Sequence, residues 1–378
     1  MDILLIGEFS RLHNSLKEGL HTMGHRVAIC GLKDGFKDYP VDFPIEKKWD
    51  SGIRKKIKIA LFRLTGFDIS SWLTYRQFMR YSPQLRGFDL VQLINENSFY
   101  CQPNVEKKIL SQLFRHNHKV VLLSCGYDYG NVRHALAHKE NKSPFLPYFE
   151  GRLSARDFYN ALKYDSAPFR KLHEFIRMHV AGVIATDLDY EPALLCDPKY
   201  LGLIPNPVNT DKIAFQSLSA DQKVVIFHGI NTENYLKKGN DFFELALAEI
   251  AQKYGSRVEI LTARSLPYAT YIEMYDSAHI VLDQVYALDQ GYNALEAMAK
   301  GKVVFTGAEA VFVSRYGIGS AVNVNATPDV EKLIGQLSYL IDHPHEIAAI
   351  GQRARAFIEQ HHDYRQIARK YVDTWQKA

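Results

Sequence analysis

The stretch Ile280–Lys302, IVLDQVYALDQGYNALEAMAKGK, decides how this chain is read. Its first residues, Ile280-Val281-Leu282, form a short apolar run of the kind found in buried parallel strands. Asp283 and Gln284 stand where such a strand ends. A loop with Asp289 and Gly291 follows, and Asn293 suits a helix N-terminus. Leu295, Met298 and Ala299 make an apolar stripe at helical spacing, which puts Glu296 in the first turn near the positive end of the helix dipole. Gly301-Lys302 ends the helix and Val303-Val304-Phe305 opens the next strand. Backbone N–H groups at such a helix start suit a phosphate, whereas a carboxylate just inside it suits ribose hydroxyls. Asp289 and Glu296 together fit a sugar nucleotide. The plain alternative is an acidic residue that favours a helix N-terminus with nothing bound.

DQGYNALEAMAKGK followed by VVFTG resembles the donor-site signature of retaining GT-B glycosyltransferases, glycosyltransferase family 4 (glycosyl transferases group 1). That family carries a spaced pair of glutamates ahead of an Ala-Met-Ala-x-Gly segment and a strand. Glu296 matches the second glutamate, to which the resemblance assigns the nucleotide ribose. The first is not matched: Leu288 stands near its position, the nearest acid is Asp289, and Asp283 is a spatial substitute. The resemblance implies an α/β fold of GT-B architecture, two Rossmann-like doubly wound domains facing a cleft.

Working outward, Lys223–Phe227 reads as a strand running into His228-Gly229-Ile230-Asn231. Lys237-Lys238-Gly239 then heads a helix over 241–254, with Phe242, Leu245, Ala246 and Ile250 expected on its core face. Lys-Gly before a helix resembles the family's phosphate clamp, since an ammonium beside backbone donors suits a diphosphate. Asn231 stands where the family places an arginine, and Arg264, after the strand Val258–Leu261, is the candidate replacement. The donor set is therefore Gly229, Asn231, Lys238, Arg264, Asp283, Asp289, Gly291, Tyr292, Asn293 and Glu296.

Toward the N-terminus, Ile3–Ile6 is a strand followed by Gly7-Glu8-Phe9-Ser10 and a helix over 11–23. No GxGxxG follows, so a dinucleotide site is not expected there. In GT-B enzymes this loop faces the cleft, which makes Gly7, Glu8, Ser10 and His13 acceptor-side candidates; His13 also reads as a helix-surface histidine. Asp89–Ile94 ends in Asn95, a further acceptor-side candidate. Lys119–Ser124 leads to Cys125-Gly126-Tyr127-Asp128, where several relatives have histidine in place of Cys125. Asp128 is the remaining polar candidate there, or else a turn residue. The catalytic set is Asp128, Lys238 and Glu296.

Length and composition fit two domains of ordinary globular character, 378 residues with 47% hydrophobic and 23% charged. The Pro-Asn-Pro turn at 205–207 suggests the boundary: an acceptor-side domain over 1–205, a nucleotide-sugar domain over 206–360, and a C-terminal helix, 361–378, crossing back to the first domain. Four cysteines show no metal or disulfide spacing, and His343-Pro-His345 and His361-His362 lack a partner cluster, so no metal is expected. The cysteines and the absence of a leader-like start suggest a reduced, cytoplasmic setting.

Charge is uneven. Residues 1–200 hold 29 basic against 22 acidic side chains, and residues 201–378 hold 17 against 20. Residues 47–64, KKWDSGIRKKIKIALFRL, concentrate seven basic residues and one acid around Ile53, Ile57, Ala60, Leu61 and Leu64 at helical spacing. That is the pattern of a basic amphipathic helix on anionic lipid, or of a domain helix with a solvated basic face. No nucleic-acid module is recognisable.

The resemblance implies retaining, metal-independent transfer of a sugar from a nucleotide diphosphate sugar to a saccharide or lipid-linked acceptor in cell-surface glycan synthesis. No cofactor beyond that donor substrate is expected. The place implied is the cytoplasm, peripherally on the inner face of its membrane. A sugar-nucleotide epimerase or hydrolase of the same fold, or a non-catalytic sugar-nucleotide-binding partner in a glycan assembly complex, are the competing readings.

Overall fold

The first strand, β1 (Asp2–Ile6), is a continuous apolar run because both of its faces are covered. Leu4 and Ile6 join one core layer with Leu93, Ile109 and Leu122, while Ile3 and Leu5 pack on the other side with Leu16, Tyr371 and Trp375. The computed structural model describes residues 1–32, 39–218, 223–264, 266 and 268–378. β2 (Arg26–Leu32), β3 (Phe43–Ile45), β4 (Leu90–Leu93), β5 (Lys119–Ser124), β6 (Gly182–Ala185) and β7 (Tyr200–Leu203) complete a sheet with β1. A second sheet holds β8 (Val224–Ile230), β9 (Val258–Arg264), β10 (Ile280–Leu282), β11 (Val303–Thr306) and β12 (Val324–Asn325). Among the described residues the orders are β3-β2-β1-β4-β5-β6-β7 and β12-β11-β10-β8-β9.

Every pairing is parallel, with Ile6 opposite Cys30 in the first sheet and Leu282 opposite Phe305 in the second. Each sheet reverses its direction of winding once, between β1 and β4 and between β8 and β10. In open α/β sheets ligands bind beyond the strand C-termini at that point. The loops after β1, β4, β8 and β10 are thus set by topology to carry a site. This is the doubly wound α/β architecture expected from the sequence.

The helix Asn240–Tyr254 buries Phe243, Ala246, Leu247 and Ile250 and leaves Leu245 exposed. Its face is turned from the expected one because Phe243, rather than Phe242, lies against the His228 ring of β8. The edge strands β3 and β7 escaped the sequence reading. β3 carries Pro44, tolerated only at an edge, and β7 is half-buried without a long apolar run. The edge strand β12 is only two residues long.

The closing helix Tyr364–Lys377 lies across the first helix, Leu12–Thr22. Their approach needs a missing side chain, since a Cβ on Gly19 would fall 2.3 Å from the Tyr364 carbonyl oxygen. A buried hydrogen-bond chain then runs inward. Trp375 Nε1–H donates to Gln92 Oε1 at 3.1 Å, Gln92 Nε2–H donates to His13 Nε2 at 3.2 Å, and His13 Nδ1–H donates to the Gly7 carbonyl at 2.7 Å. His13 is therefore neither on the helix surface nor in the cleft. It is fully buried, and burial lowers its pKa to about 4. The neutral tautomer is the one this chain of donors requires.

Candidate active site

Two cavities adjoin between the sheets, sharing Gly126, Tyr127 and Tyr190. The first, about 340 Å³, is lined from the second sheet by the loops after β8 and β10, including Lys237, Lys238, Gln284 and Gly291. The second, about 920 Å³, is lined by the loops after β1, β4 and β5, including Glu8, Ser10, Asn95 and Cys125. Both therefore sit at the switch points.

Lys238 and Gly239 are clamped at the first cavity. Gly239 has φ +69° and a Cβ there would lie 2.2 Å from Val285 Cγ2, so the tight approach of the two loops needs glycine. The Val285 N–H donates to the Lys238 carbonyl at 3.0 Å. Lys238 Nζ donates to Asp283 Oδ1 at 2.8 Å, and Asp283 Oδ2 accepts from Thr306 Oγ1 at 3.1 Å. Asp283, with its side chain 2% exposed, thus aims the 31% exposed ammonium. Both of its oxygens are engaged by protein partners, Lys238 and Thr306.

The helix Tyr292–Ala299 begins at Gly291, and no side chain caps its first N–H groups. Glu296 is half-buried on its first turns. Asn293 Oδ1 accepts from Tyr271 and its carbonyl from Tyr275, which fix the helix start. Tyr271 can lie over β8 only because Gly229 lacks a side chain; a Cβ there would come 3.0 Å from the ring. The Tyr292 side chain points the other way, donating to the Pro207 carbonyl at 2.7 Å and packing in the core of the first sheet. Its side chain is therefore turned away from the first cavity, which Gly291 lines.

Four other expected site residues have structural partners. Asp289 is buried, its oxygens accepting from the N–H groups of Gln290 at 2.7 Å and Leu188 at 3.4 Å. Asp128 caps the helix Tyr129–Ala137, and both its oxygens accept from Asn131 or Ser124. Arg264 pairs with Glu244, away from the cavity. Asn231 is an exposed cap accepting from the Glu233 N–H at 3.0 Å. On the acceptor side, Asn95 lines the cavity but is held by the Cys125 and Tyr127 carbonyls and the Asn97 N–H. Apart from Arg264, in each case a short polar side chain at a loop found backbone groups to satisfy, which sequence spacing does not reveal.

Gly7 has φ +86° and lies against Gly31, bringing Glu8 to the cavity wall. Glu8 Oε2 accepts from the Asn14 backbone and side chain, whereas buried Oε1 has no partner among the described residues. Burial pushes the Glu8 carboxyl up to about 7. Ser10 and Arg11 follow in the left-handed region, φ 52° and 78°, so this loop holds backbone strain beside the cavity. Cys125 shares the wall, but burial pushes its thiol up to about 12. Among the described residues no cluster of three or more His, Cys, Asp or Glu side chains could hold a metal.

Sequence reasoning also missed the contacts that close the cleft. Lys142 Nζ reaches Glu309 at 2.6 Å, Arg152 pairs with Asp241, and Arg315 pairs with Glu191. Asp189 and Asp289 act reciprocally: the Leu288 N–H donates to Asp189 at 2.9 Å while the Leu188 N–H donates to Asp289. The alternating acids of Asp187-Leu188-Asp189 were the one sequence signal for this latch.

Burial raises Asp289 to about 7 and Asp189 to about 6, and Asp187 well above its ordinary value. An acid raised in the folded state favours folding below its unfolded pKa, near 4, and loses that contribution as pH rises through 6 to 7. Asp289→Asn, an isostere of the protonated acid, should therefore be more stable than the parent at about pH 8, by on the order of 2 kcal/mol, with no advantage at about pH 4. Melting temperatures across that range check it; parallel curves would show a solvated carboxylate.

Two parallel doubly wound sheets facing a cleft are the architecture of GT-B glycosyltransferase structures. Residues 238–373 match a family model described as "Glycosyl transferase-like". The segment begins at Lys238 and ends in the closing helix. HepE from Anabaena, in complex with UDP and glucose, superposes with TM-score 0.59 at 14% identity, covering all of both chains. Sucrose-phosphate synthase from Thermosynechococcus elongatus gives 0.62 at 16%, over 100% of this chain and 98% of that one. UDP-GlcNAc 2-epimerase from Neisseria meningitidis, bound to UDP-GlcNAc, gives 0.50 at 14% over all of both chains. At these identities the likeness is one of fold. Among curated proteins no sequence matches.

Proposed function

We propose that the chain transfers a sugar with retention from a nucleotide diphosphate sugar, of the uridine type, to a saccharide or lipid-linked acceptor in cell-surface glycan synthesis. The observation that carries this is the convergence of Lys238 and the uncapped N–H groups at Gly291 on one cavity that opens onto a second. The UDP bound by HepE and the glycosyltransferase-like match over the same segment support it.

In this reading Lys238 and the N–H groups of Tyr292 and Asn293 meet the charge that develops on the leaving diphosphate. They do there what a divalent cation does elsewhere, so the reaction is metal-independent. Glu296 accepts from the ribose hydroxyls. The acceptor enters beside Glu8 and Ser10. Its hydroxyl oxygen bonds to the anomeric carbon as the bond to the diphosphate breaks, and its proton passes to the departing phosphate oxygen on the same face. We place the protein in the cytoplasm, with domain boundaries at 205 and 360.

A thermal-shift panel of UDP-, GDP-, ADP- and CMP-sugars tests the donor site. UDP-sugars alone should stabilise the protein, by about 2.7 kcal/mol at a hundredfold excess over the dissociation constant. No shift with any of them would overturn the reading. Consumption of the donor without an acceptor would move the assignment to a hydrolase or epimerase, and binding with no turnover to a non-catalytic partner.

A further inference from the structure

The helix Gly52–Thr65 has no buried residue along its whole length. Its sequence nevertheless places Ile53, Ile57, Ala60, Leu61 and Leu64 on one stripe at helical spacing, and Ile53 and Leu64 are 74% and 85% exposed. Arg54 and Lys56 flank that stripe on its two sides, with Lys55 and Arg63 farther round. Among the described residues only Lys58 of its five basic side chains meets a carboxylate, that of Asp50. A helix with neither a packed face nor satisfied charges does nothing for the core. Exposed Phe67 and Trp72 follow it, their rings 6.3 Å apart and Arg76 set over the indole.

We infer that this helix docks the protein on an anionic bilayer, lying in the plane of the interface. The apolar stripe would face the acyl chains and the basic flanks the headgroup phosphates. At about 21 Å for 14 residues it is too short and too charged to span. A second copy is a poor occupant, because two such helices bring five positive charges against five. Nucleic acid would satisfy the charges and leave the central stripe in water. An anionic lipid surface satisfies both.

The position adds a consequence for the second cavity. Lys47 and Asp50, which immediately precede the helix, line that cavity, and Asp50 holds Lys58 of the helix itself. Docking therefore sets the acceptor-side opening against the headgroup layer. The inference does not depend on the transferase reading, because vesicle binding needs neither donor nor turnover.

The test is cosedimentation of the full chain with vesicles of phosphatidylcholine alone or mixed with phosphatidylglycerol. One variant carries Arg54→Glu, Lys55→Glu, Lys56→Glu and Arg63→Glu; a second carries Ile53→Ser, Ile57→Ser and Leu64→Ser. Since none of these side chains is buried, both variants should keep the parent melting temperature and donor-induced shift. The parent should bind the mixed vesicles, weakly in high salt, and ignore phosphatidylcholine. The charge variant should lose at least a hundredfold in partitioning, at about fivefold per basic residue, and the stripe variant at least tenfold. Equal partitioning of parent and either variant would overturn the proposal, as would absence of binding by the parent. A parent dimer that the stripe variant converts to monomer would also overturn it, assigning the face to a second copy.

Discussion

Lys238→Ala is expected to lower the kcat/KM of sugar transfer about 10²- to 10³-fold, the loss typical when one preorganised donor to a developing oxyanion is removed. The same change strips a buried carboxylate of its partner, because among the described residues the Asp283 side chain keeps only Thr306. The ammonium is partly solvated, so the cost in stability is expected to be only about 1 kcal/mol. Adding Asp283→Asn separates the two effects. The double variant should recover the parent melting temperature and remain as inactive as Lys238→Ala. If the double variant regained activity, Lys238 would be serving the fold and not the diphosphate.

The second large effect is expected at Glu296. A hydrogen bond to a charged group contributes about 1.5–3 kcal/mol, so Glu296→Ala should weaken donor binding about 10- to 100-fold. Ribose is remote from the bond that breaks and is held alike before and at the transition state. The change should therefore raise KM for the donor and leave kcat near the parent value. Glu296 is half-buried at one face of its helix, between Leu295 and Ala297, which are fully buried. The fold should survive its truncation. Unchanged donor affinity by calorimetry would remove Glu296 from the site.

The elements around these two residues were legible because they are periodic. Ile280–Leu282, the stripe of Leu295 and Met298, and the glycines that end helices carry strong local signals, and Gly301 adopts φ +86° as a helix terminator should. From two such strand–loop–helix units the doubly wound architecture followed. What stayed hidden was where polar side chains turn once the loops fold. Asp128 and Asp289 stood at strand-end loops with the right chemistry, yet each lies nearest to unpaired backbone N–H groups and satisfies them. His13 was misjudged for a related reason: its partners, Gly7 just after β1 and Gln92 on β4, are far apart in sequence, and nothing in a one-dimensional pattern brings them together. The basic stretch before residue 65 was legible as a helix, but only the structure shows that none of its residues is buried.

The closing helix has a consequence for how the molecule is made. One face of the first sheet, with Ile3, Leu5, Leu16 and Leu20, is completed by Tyr371 and Trp375, and Gln92 waits for a donor 283 residues later in the chain. On a ribosome the earliest-synthesised strands therefore emerge with an apolar face that the first helix covers only in part. Contacts of such long sequence separation form late and slowly. The first domain is therefore expected to complete its packing only once the closing helix has been made.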